Sequence, residues 1–141
     1  MTAYLNGEFL PLSAARISPL DRGFLFGDGV YEVIPVYSRR PFRIAEHLRR
    51  LQDSLDGIRL ANPLSNAAWQ GVVERLVADA EFPDQSVYLQ VTRGADDKRD
   101  QAFPIGVAPT VFAFTSPLVA RRDARREAGV GAITVPDIRW A

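Results

Sequence analysis

The order of apolar patterns along the chain is the strongest constraint on its fold. Residues 45–58 carry Leu and Ile at three- and four-residue steps, which predicts a helix with one apolar stripe. A second helix is predicted to begin near Ser65 or Asn66, because either side chain can cap a helix. Strand-like runs precede and follow this helical pair, at residues 3–6, 9–10, 30–37, 42–44, 86–93 and 109–116. The pattern predicts an α+β fold, in which two helices pack on one face of a mixed or antiparallel sheet.

The remaining segments predict how this sheet is bounded. Pro35 lies inside the strand at 30–37, and because proline cannot donate a ladder hydrogen bond, it predicts an edge position or a bulge. Residues 13–26 contain Ser, Pro and Gly and predict a long ordered loop. Residues 129–140 predict one or two further strands that have no partners left in the sheet. We therefore expect an N-terminal α+β domain at 1–118, followed at 119–141 by a connector and the first strand of a truncated second domain.

Composition and charge narrow the classes of function. The 17 basic residues balance 17 acidic ones, so no net field attracts nucleic acid or an anionic membrane. The chain has no Cys and one His, which argues against a zinc or non-haem iron site, and we predict no metal. The sequence shows neither a signal peptide nor an apolar run of transmembrane length. These features predict a cytoplasmic protein.

Two polar segments leave functional and structural interpretations open. In RGFLFGDGVYEV, residues 22–33, the Gly-Asp-Gly turn could approach a ligand closely or could simply lead into an edge strand. In EHLRRLQDSL, residues 46–55, Arg50 could bind a phosphate through its planar guanidinium. It could equally be a solvated charge beside Asp53.

A third polar segment, VTRGADDKRDQAFP at residues 91–104, follows a predicted strand. Arg99 could form a bidentate salt bridge with a carboxylate, and the Gln101 amide could add a hydrogen bond. By charge alone the segment could also be a solvated surface loop. No segment is decisive by itself, but their order along the chain is informative.

Taken together, these segments resemble the fold type IV aminotransferases, which use pyridoxal 5′-phosphate (PLP). The resemblance extends from Tyr4 to Trp140 and includes the YLQVTRG and DIRW runs. The GDGVYEV and EHxxRL motifs mark the superfamily, which also contains branched-chain aminotransferases and aminodeoxychorismate lyases. The VTRG run followed by RxxxFP points to the D-amino acid (D-alanine) aminotransferases.

The resemblance implies a role for each matching residue. Arg50 would bind the PLP phosphate, and Tyr31 would help to hold the substrate carboxylate. Val33 and Tyr88 would line the substrate pocket. Arg99 would bind the carboxylate from a loop that reaches the neighbouring subunit's active site, so a homodimer is implied. The implied reaction is transamination between a D-amino acid and a 2-oxo acid.

The sequence departs from the family pattern at two places. Gln101 stands where the D-amino acid enzymes usually have His, so this position can donate a hydrogen bond but cannot carry a charge. The Schiff-base lysine of the family follows the DIRW segment, so we expect it beyond Ala141 and assign no catalytic residue within this chain. Lys98 is not a replacement, because the neighbouring aspartates favour its protonated form.

Three alternatives stay open at this point. Two keep the fold and change the reaction, to a branched-chain aminotransferase or an aminodeoxychorismate lyase. The presence of Arg99 in the RxxxFP run argues against the lyase. The third is a non-catalytic dimerisation or binding module, which would apply if the 141 residues were the complete protein.

Overall fold

The computed structural model of the protein describes residues 1–118, 129 and 131–136. Within them, six strands form one antiparallel sheet in the order β2-β1-β6-β5-β3-β4. The strands are β1 Thr2–Leu5, β2 Glu8–Pro11, β3 Gly29–Tyr37, β4 Arg40–Pro41, β5 Gln85–Thr92 and β6 Thr110–Pro117. The helices are α1 Arg22–Phe26, α2 Ile44–Gly57 and α3 Asn66–Asp79, and a 3-10 turn lies at Leu12–Ala14.

Helices α2 and α3 cover one face of the sheet and enclose the core with it. The two helical stripes predicted from the sequence are buried, and Ser65 caps α3 by accepting a hydrogen bond from the Ala68 amide at 3.2 Å. On the sheet, every second side chain of the central strands faces these helices, as the two-residue period of a strand requires. The core residues include Ile34, Val36, Leu51, Leu55, Trp69, Val73, Leu76, Val87, Leu89, Val91 and Ala113. The predicted α+β fold with two helices on one face is confirmed.

On the opposite face, the five-residue helix α1 packs at one end, where Thr92 and Thr110 donate hydrogen bonds to its cap Asp21. Aromatic side chains follow one another across the rest of this face. Tyr31 of β3 stacks with Tyr88 of β5, and Tyr88 contacts Phe114 of β6. Phe114 in turn contacts Phe112. We call this side of the sheet the open face.

Three local predictions need correction. Residues 22–26, predicted as loop, form α1, which begins at an Asp21 cap and ends at Gly27 with φ 66°. A five-residue helix is too short to show an apolar period, so only its cap and its glycine stop were visible. The chain pairs back onto β3 at Arg40–Pro41 rather than at 42–44, because Ile44 already begins α2.

The third correction concerns residues 131–136, which were predicted as part of a strand. They lie outside regular secondary structure, and none of the described strands pairs with them. The connector at 119–128 and the DIRW segment fall outside the described residues.

The edge prediction for Pro35 is confirmed. The short strand β4 pairs only with Val36 and Tyr37 on that side of β3, and the Phe42 amide just after β4 donates to the Pro35 carbonyl at 2.8 Å. Pro35 therefore lies where regular strand pairing ends. Within the described residues, no helix has both the length and the apolarity needed to cross a bilayer.

Candidate active site

The predicted substrate residues Tyr31, Val33 and Tyr88 lie side by side on the open face. Val33 pairs directly with Tyr88 across β3 and β5, and the Tyr31 and Tyr88 rings stack with centroids 5.8 Å apart. Tyr31 is 65% exposed and Val33 is 40% exposed, although both belong to the interior of a strand. The arrangement presents an aromatic hydroxyl and an apolar side chain together at an accessible surface.

Tyr88 supports Tyr31 from the neighbouring strand. Its hydroxyl donates a hydrogen bond to Gln90 Oε1 at 3.2 Å. Burial, and secondarily the proximity of Tyr31, raises the pKa of Tyr88 above its ordinary value, so this hydroxyl stays protonated at neutral pH. Tyr88 therefore acts as a neutral stacking partner beneath the exposed ring of Tyr31.

Arg50 is held by a carboxylate on the helix-covered side of β3. Its Nε and Nη2 donate to the two oxygens of Glu32 at 2.6 and 2.7 Å, which is a bidentate pair. His47 Nδ1 lies 2.9 Å from Glu32 Oε2. Glu32 is 3% exposed at its side chain, whereas Arg50 remains 65% exposed. The guanidinium is thus fixed along one edge and open to solvent elsewhere.

The electrostatics of this group follow from its geometry. Burial alone would raise the pKa of Glu32, but the hydrogen bonds and charges of Arg50 and His47 outweigh burial and hold it below its usual range. The hydrogen bond from Arg50 to Glu32 raises the pKa of Arg50 in turn. Glu32 is therefore ionised at neutral pH and orients a permanent cation.

Arg50 and Tyr31 do not share a pocket within the described part of the chain. Glu32 follows Tyr31 directly, and successive strand residues point to opposite faces, so the two candidate sites lie on opposite sides of β3. The groove at Arg50 is lined by Phe42, Arg43, Glu46, His47, Arg49 and Asp53. Tyr31 and Arg50 do both lie near the beginning of β3, and their action on a single ligand remains a prediction.

The loop that follows β5 presents Arg99 and Gln101 at the surface. Both residues are exposed, and the Arg99 guanidinium lies 4.9 Å from the centroid of the Phe26 ring. In the same loop Lys98 Nζ pairs with Asp100 at 3.0 Å. This hydrogen bond raises the pKa of Lys98, with a further contribution from the charges of Asp100 and Asp96, so its amine stays protonated. The loop exposes a cation and an amide at the surface, and their binding of a carboxylate stays a prediction.

A buried ion cluster anchors this loop, and its residues were not predicted from the sequence to have a role. Arg22 Nε and Arg93 Nε both donate to Asp28 Oδ2 at 2.8 Å. Burial alone would raise the pKa of Asp28, but the hydrogen bonds and charges of Arg93 and Arg22 lower it below its usual range. The available signal was the charge of Arg22 in an apolar, glycine-containing segment. Glu32 was also not predicted as a site residue. Its position two residues before Ile34 places it on the buried side of the strand, where a charge is unusual, and this could have identified it.

The chain is similar to known aminotransferases. The sequence profile of the family Amino-transferase class IV matches residues 29–140. A D-alanine aminotransferase of Bacillus licheniformis is 36% identical over 99% of this chain and 49% of its own length. One from Staphylococcus aureus (strain N315) is 38% identical over 97% of this chain and 48% of its own length. The chain thus spans about half the length of these curated relatives.

Solved structures show the same fold. A branched-chain amino acid aminotransferase of Escherichia coli superposes with a TM-score of 0.78 at 21% identity, covering 88% of this chain and 42% of its own. A hypothetical aminotransferase from Mycobacterium tuberculosis, in a PLP-bound form, gives a TM-score of 0.69 at 26% identity, covering 86% of this chain and 41% of its own. Because the family profile matches most of the chain, this protein belongs to the class IV aminotransferase family.

Proposed function

We propose that the full-length protein containing this chain is a PLP-dependent transaminase that exchanges an amino group between a D-amino acid and a 2-oxo acid. The observation that carries the proposal is the 36–38% identity to D-alanine aminotransferases across almost the whole chain. The similarity to branched-chain enzymes, at 20–22% identity, concerns the fold alone. The proposal includes a homodimer in the cytoplasm, with the N-terminal domain at 1–118 followed by the start of a cofactor domain.

The residues present fit the phosphate end of the cofactor. Glu32 binds Arg50 through Nε and Nη2, and among the described residues nothing binds its Nη1. A guanidinium that is held on one edge and exposed elsewhere can bind a phosphate without first reorganising. When bound, PLP supplies an electron sink that allows an amino acid to lose its α proton. In this proposal Arg50 holds the phosphate, and the lysine that completes the chemistry belongs to the remainder of the protein.

The substrate end of the proposal uses the open face and the loop after β5. The Tyr31 hydroxyl donates a hydrogen bond to the substrate carboxylate, while Val33 and Tyr88 form the wall against which the side chain packs. Arg99 binds the carboxylate in the partner subunit's site, with Gln101 donating a second hydrogen bond. In the single chain these residues other than Tyr88 are exposed, which supports the assignment because a ligand or a second copy can reach them. Tyr88 is partly buried beneath Tyr31.

A coupled transamination assay on the purified full-length protein tests the proposed function. With PLP, D-alanine and a 2-oxo acid acceptor, we expect pyruvate formation, and we expect none with L-alanine. Transfer only from L-leucine or L-valine would move the protein to the branched-chain enzymes. Release of pyruvate from aminodeoxychorismate without an acceptor would make it a lyase. Light scattering on the same sample checks the homodimer.

A further inference from the structure

The buried cluster of Arg22, Asp28 and Arg93 connects the beginning of β3 to the loop that carries Arg99 and Gln101. The side chains of the three cluster residues are 4%, 11% and 8% exposed, respectively. Buried ion pairs are costly to desolvate and are weak sources of stability on their own. The other partners of these side chains therefore indicate what the cluster does.

Arg22 uses its remaining donors on the backbone of the loop. Its Nη1 donates to the carbonyl of Asp100 at 2.6 Å and to that of Ala102 at 3.2 Å, and its Nη2 donates to the carbonyl of Gln101 at 3.3 Å. Three successive carbonyls are thus held by one guanidinium, starting at the residue directly after Arg99. Arg22 binds only the backbone of these residues, so it leaves the hydrogen-bond donors of the Arg99 and Gln101 side chains available to a ligand.

An aromatic ring adds a second link. The guanidinium carbons of Arg22 and Arg99 lie 4.8 and 4.9 Å from the centroid of the same ring, that of Phe26. Each contact has the geometry of a cation–π interaction. Phe26 therefore connects the buried arginine to the exposed one.

Arg93 anchors the other side of the cluster. It donates to the carbonyl of Ile58 at 2.7 Å, just beyond the end of α2, and it lies 4.0 Å from the Phe103 ring centroid. The backbone reinforces the arrangement, because the Arg22 amide donates to the Gly94 carbonyl at 2.9 Å. Gly94 has φ +92°, and a Cβ there would collide with the Ala108 carbonyl, so the two ends of the loop lie in close contact at this point. The loop is fixed at both of its ends and at its centre.

We propose that Arg22, held by Asp28 and linked to Arg99 through Phe26, is the positioning residue that sets the geometry of the carboxylate-binding loop. This inference rests on the proposed function and adds a specificity determinant to it. Arg22 touches neither cofactor nor substrate in the proposal. It acts by fixing the backbone from which Arg99 and Gln101 reach a carboxylate, in the partner subunit's site if the dimer forms as proposed.

The test compares Arg22→Lys with Arg75→Lys in the full-length protein. Lysine keeps the charge but lacks the planar fork, so it cannot hold Asp28 and three carbonyls at once. Arg75 is an exposed arginine paired with Asp79 on α3 and is the matched control. A displaced binding group typically costs one to two orders of magnitude, so we expect Arg22→Lys to raise KM for the D-amino acid about 10- to 100-fold. We expect kcat and the PLP dissociation constant to change by less than about twofold, as for loss of uniform substrate binding.

A readout independent of turnover is hydrogen exchange at the amides of residues 96–103. Arg22→Lys should speed exchange in this loop and leave the amides of α3 unchanged. If Arg22→Lys does not fold, the Phe26→Leu variant tests the positioning role, because it removes the shared ring and leaves the ion cluster intact. It should raise KM for the D-amino acid by a few-fold, in line with the modest energy of a cation–π contact.

The possible failures can be distinguished. A wild-type protein that does not transaminate D-amino acids would overturn the proposed function. An active wild type whose Arg22→Lys and Arg75→Lys variants share one KM would overturn only the positioning role, as would a Phe26→Leu variant with wild-type KM when Arg22→Lys is unfolded. A fall in kcat and in PLP affinity with KM unchanged would show that Arg22 acts on the fold as a whole rather than on the loop.

Discussion

Two clusters near the beginning of β3 have similar chemistry, a carboxylate held between basic side chains, but differ in what they expose. Around Asp28, Arg22 and Arg93 are buried, and their remaining donors bind backbone carbonyls. Around Glu32, Arg50 stays 65% exposed although both oxygens of the carboxylate bind it. The difference teaches that an arginine–carboxylate pair stabilises the backbone when its guanidinium is enclosed. When the guanidinium is held on one edge only, as in Arg50, the same kind of pair leaves an oriented cation accessible to a ligand.

The largest effect that this difference predicts is on stability. Asp28→Asn removes the only charge that compensates two buried guanidinium groups within the cluster, so we expect a loss of about 3–5 kcal/mol in the free energy of unfolding. The matched change Glu32→Gln should cost only about 1–2 kcal/mol, because the exposed Arg50 can turn into water. Urea denaturation of both full-length variants, at one protein concentration, measures the two values. An equal or larger loss for Glu32→Gln would remove the distinction between the clusters.

The next effect concerns ligand binding at the exposed cluster. Arg50→Ala should weaken PLP binding about 10- to 100-fold, the range expected for loss of a charged hydrogen bond. The thermal midpoint of the cofactor-free protein should also fall by a few degrees, since Glu32 stays buried and loses its bidentate partner. Titrating the cofactor-free full-length protein with PLP gives the dissociation constant. Arg75→Ala is the control, and a dissociation constant equal to that of Arg50→Ala would show that Arg50 does not hold the phosphate.

The sequence predicts features whose residues lie close together along the chain, and it does not predict pairs whose partners lie far apart. Tyr31 and Val33 share a face because alternate strand residues do, and the resemblance had already placed them in a substrate site. The two long helices were predictable because their apolar stripes run over several turns. The 3.6-residue period that marks such stripes needs more residues than the five of α1.

The links that hold the loop were not predictable from local pattern. The hydrogen bonds from Arg22 to the loop join residues 78 to 80 positions apart in sequence. Only the fold brings these partners together. In the sequence alone, Arg22 and Arg93 cannot be distinguished from solvent-exposed arginines. The sequence indicates that Glu32 is a charged residue on the buried side of a strand, but it does not identify Arg50 on α2 as its partner. Side-chain pairing across elements is therefore the part that required the structure.

A smaller effect should appear in the acid dependence of stability. The pKa values of Asp28 and Glu32 are both lowered in the folded protein, so each carboxylate stabilises the fold above its ordinary pKa and loses that contribution as the pH falls toward its lowered value. The wild type should therefore lose stability as the pH drops below about 4, the ordinary carboxyl range. Asp28→Asn should show a shallower acid slope because one of these groups is gone. The free energy of unfolding, measured against pH for both proteins, checks this, and parallel curves would contradict the role of Asp28.

The smallest effect separates the backbone of residue 101 from its side chain. Arg22 binds the Gln101 carbonyl, so Gln101→His should place an imidazole on an unchanged backbone at the position where the family usually has His. An imidazole titrates near pH 6.5, and its charged form attracts a carboxylate, so we expect KM for the D-amino acid to fall about two- to fivefold from pH 8 to pH 6. The wild type should lack this component, because an amide does not ionise. The matched control is Gln70→His, which adds an exposed imidazole on α3. If both variants show the same pH dependence of KM, the side chain at 101 does not contact the carboxylate, and Arg22 then positions Arg99 alone.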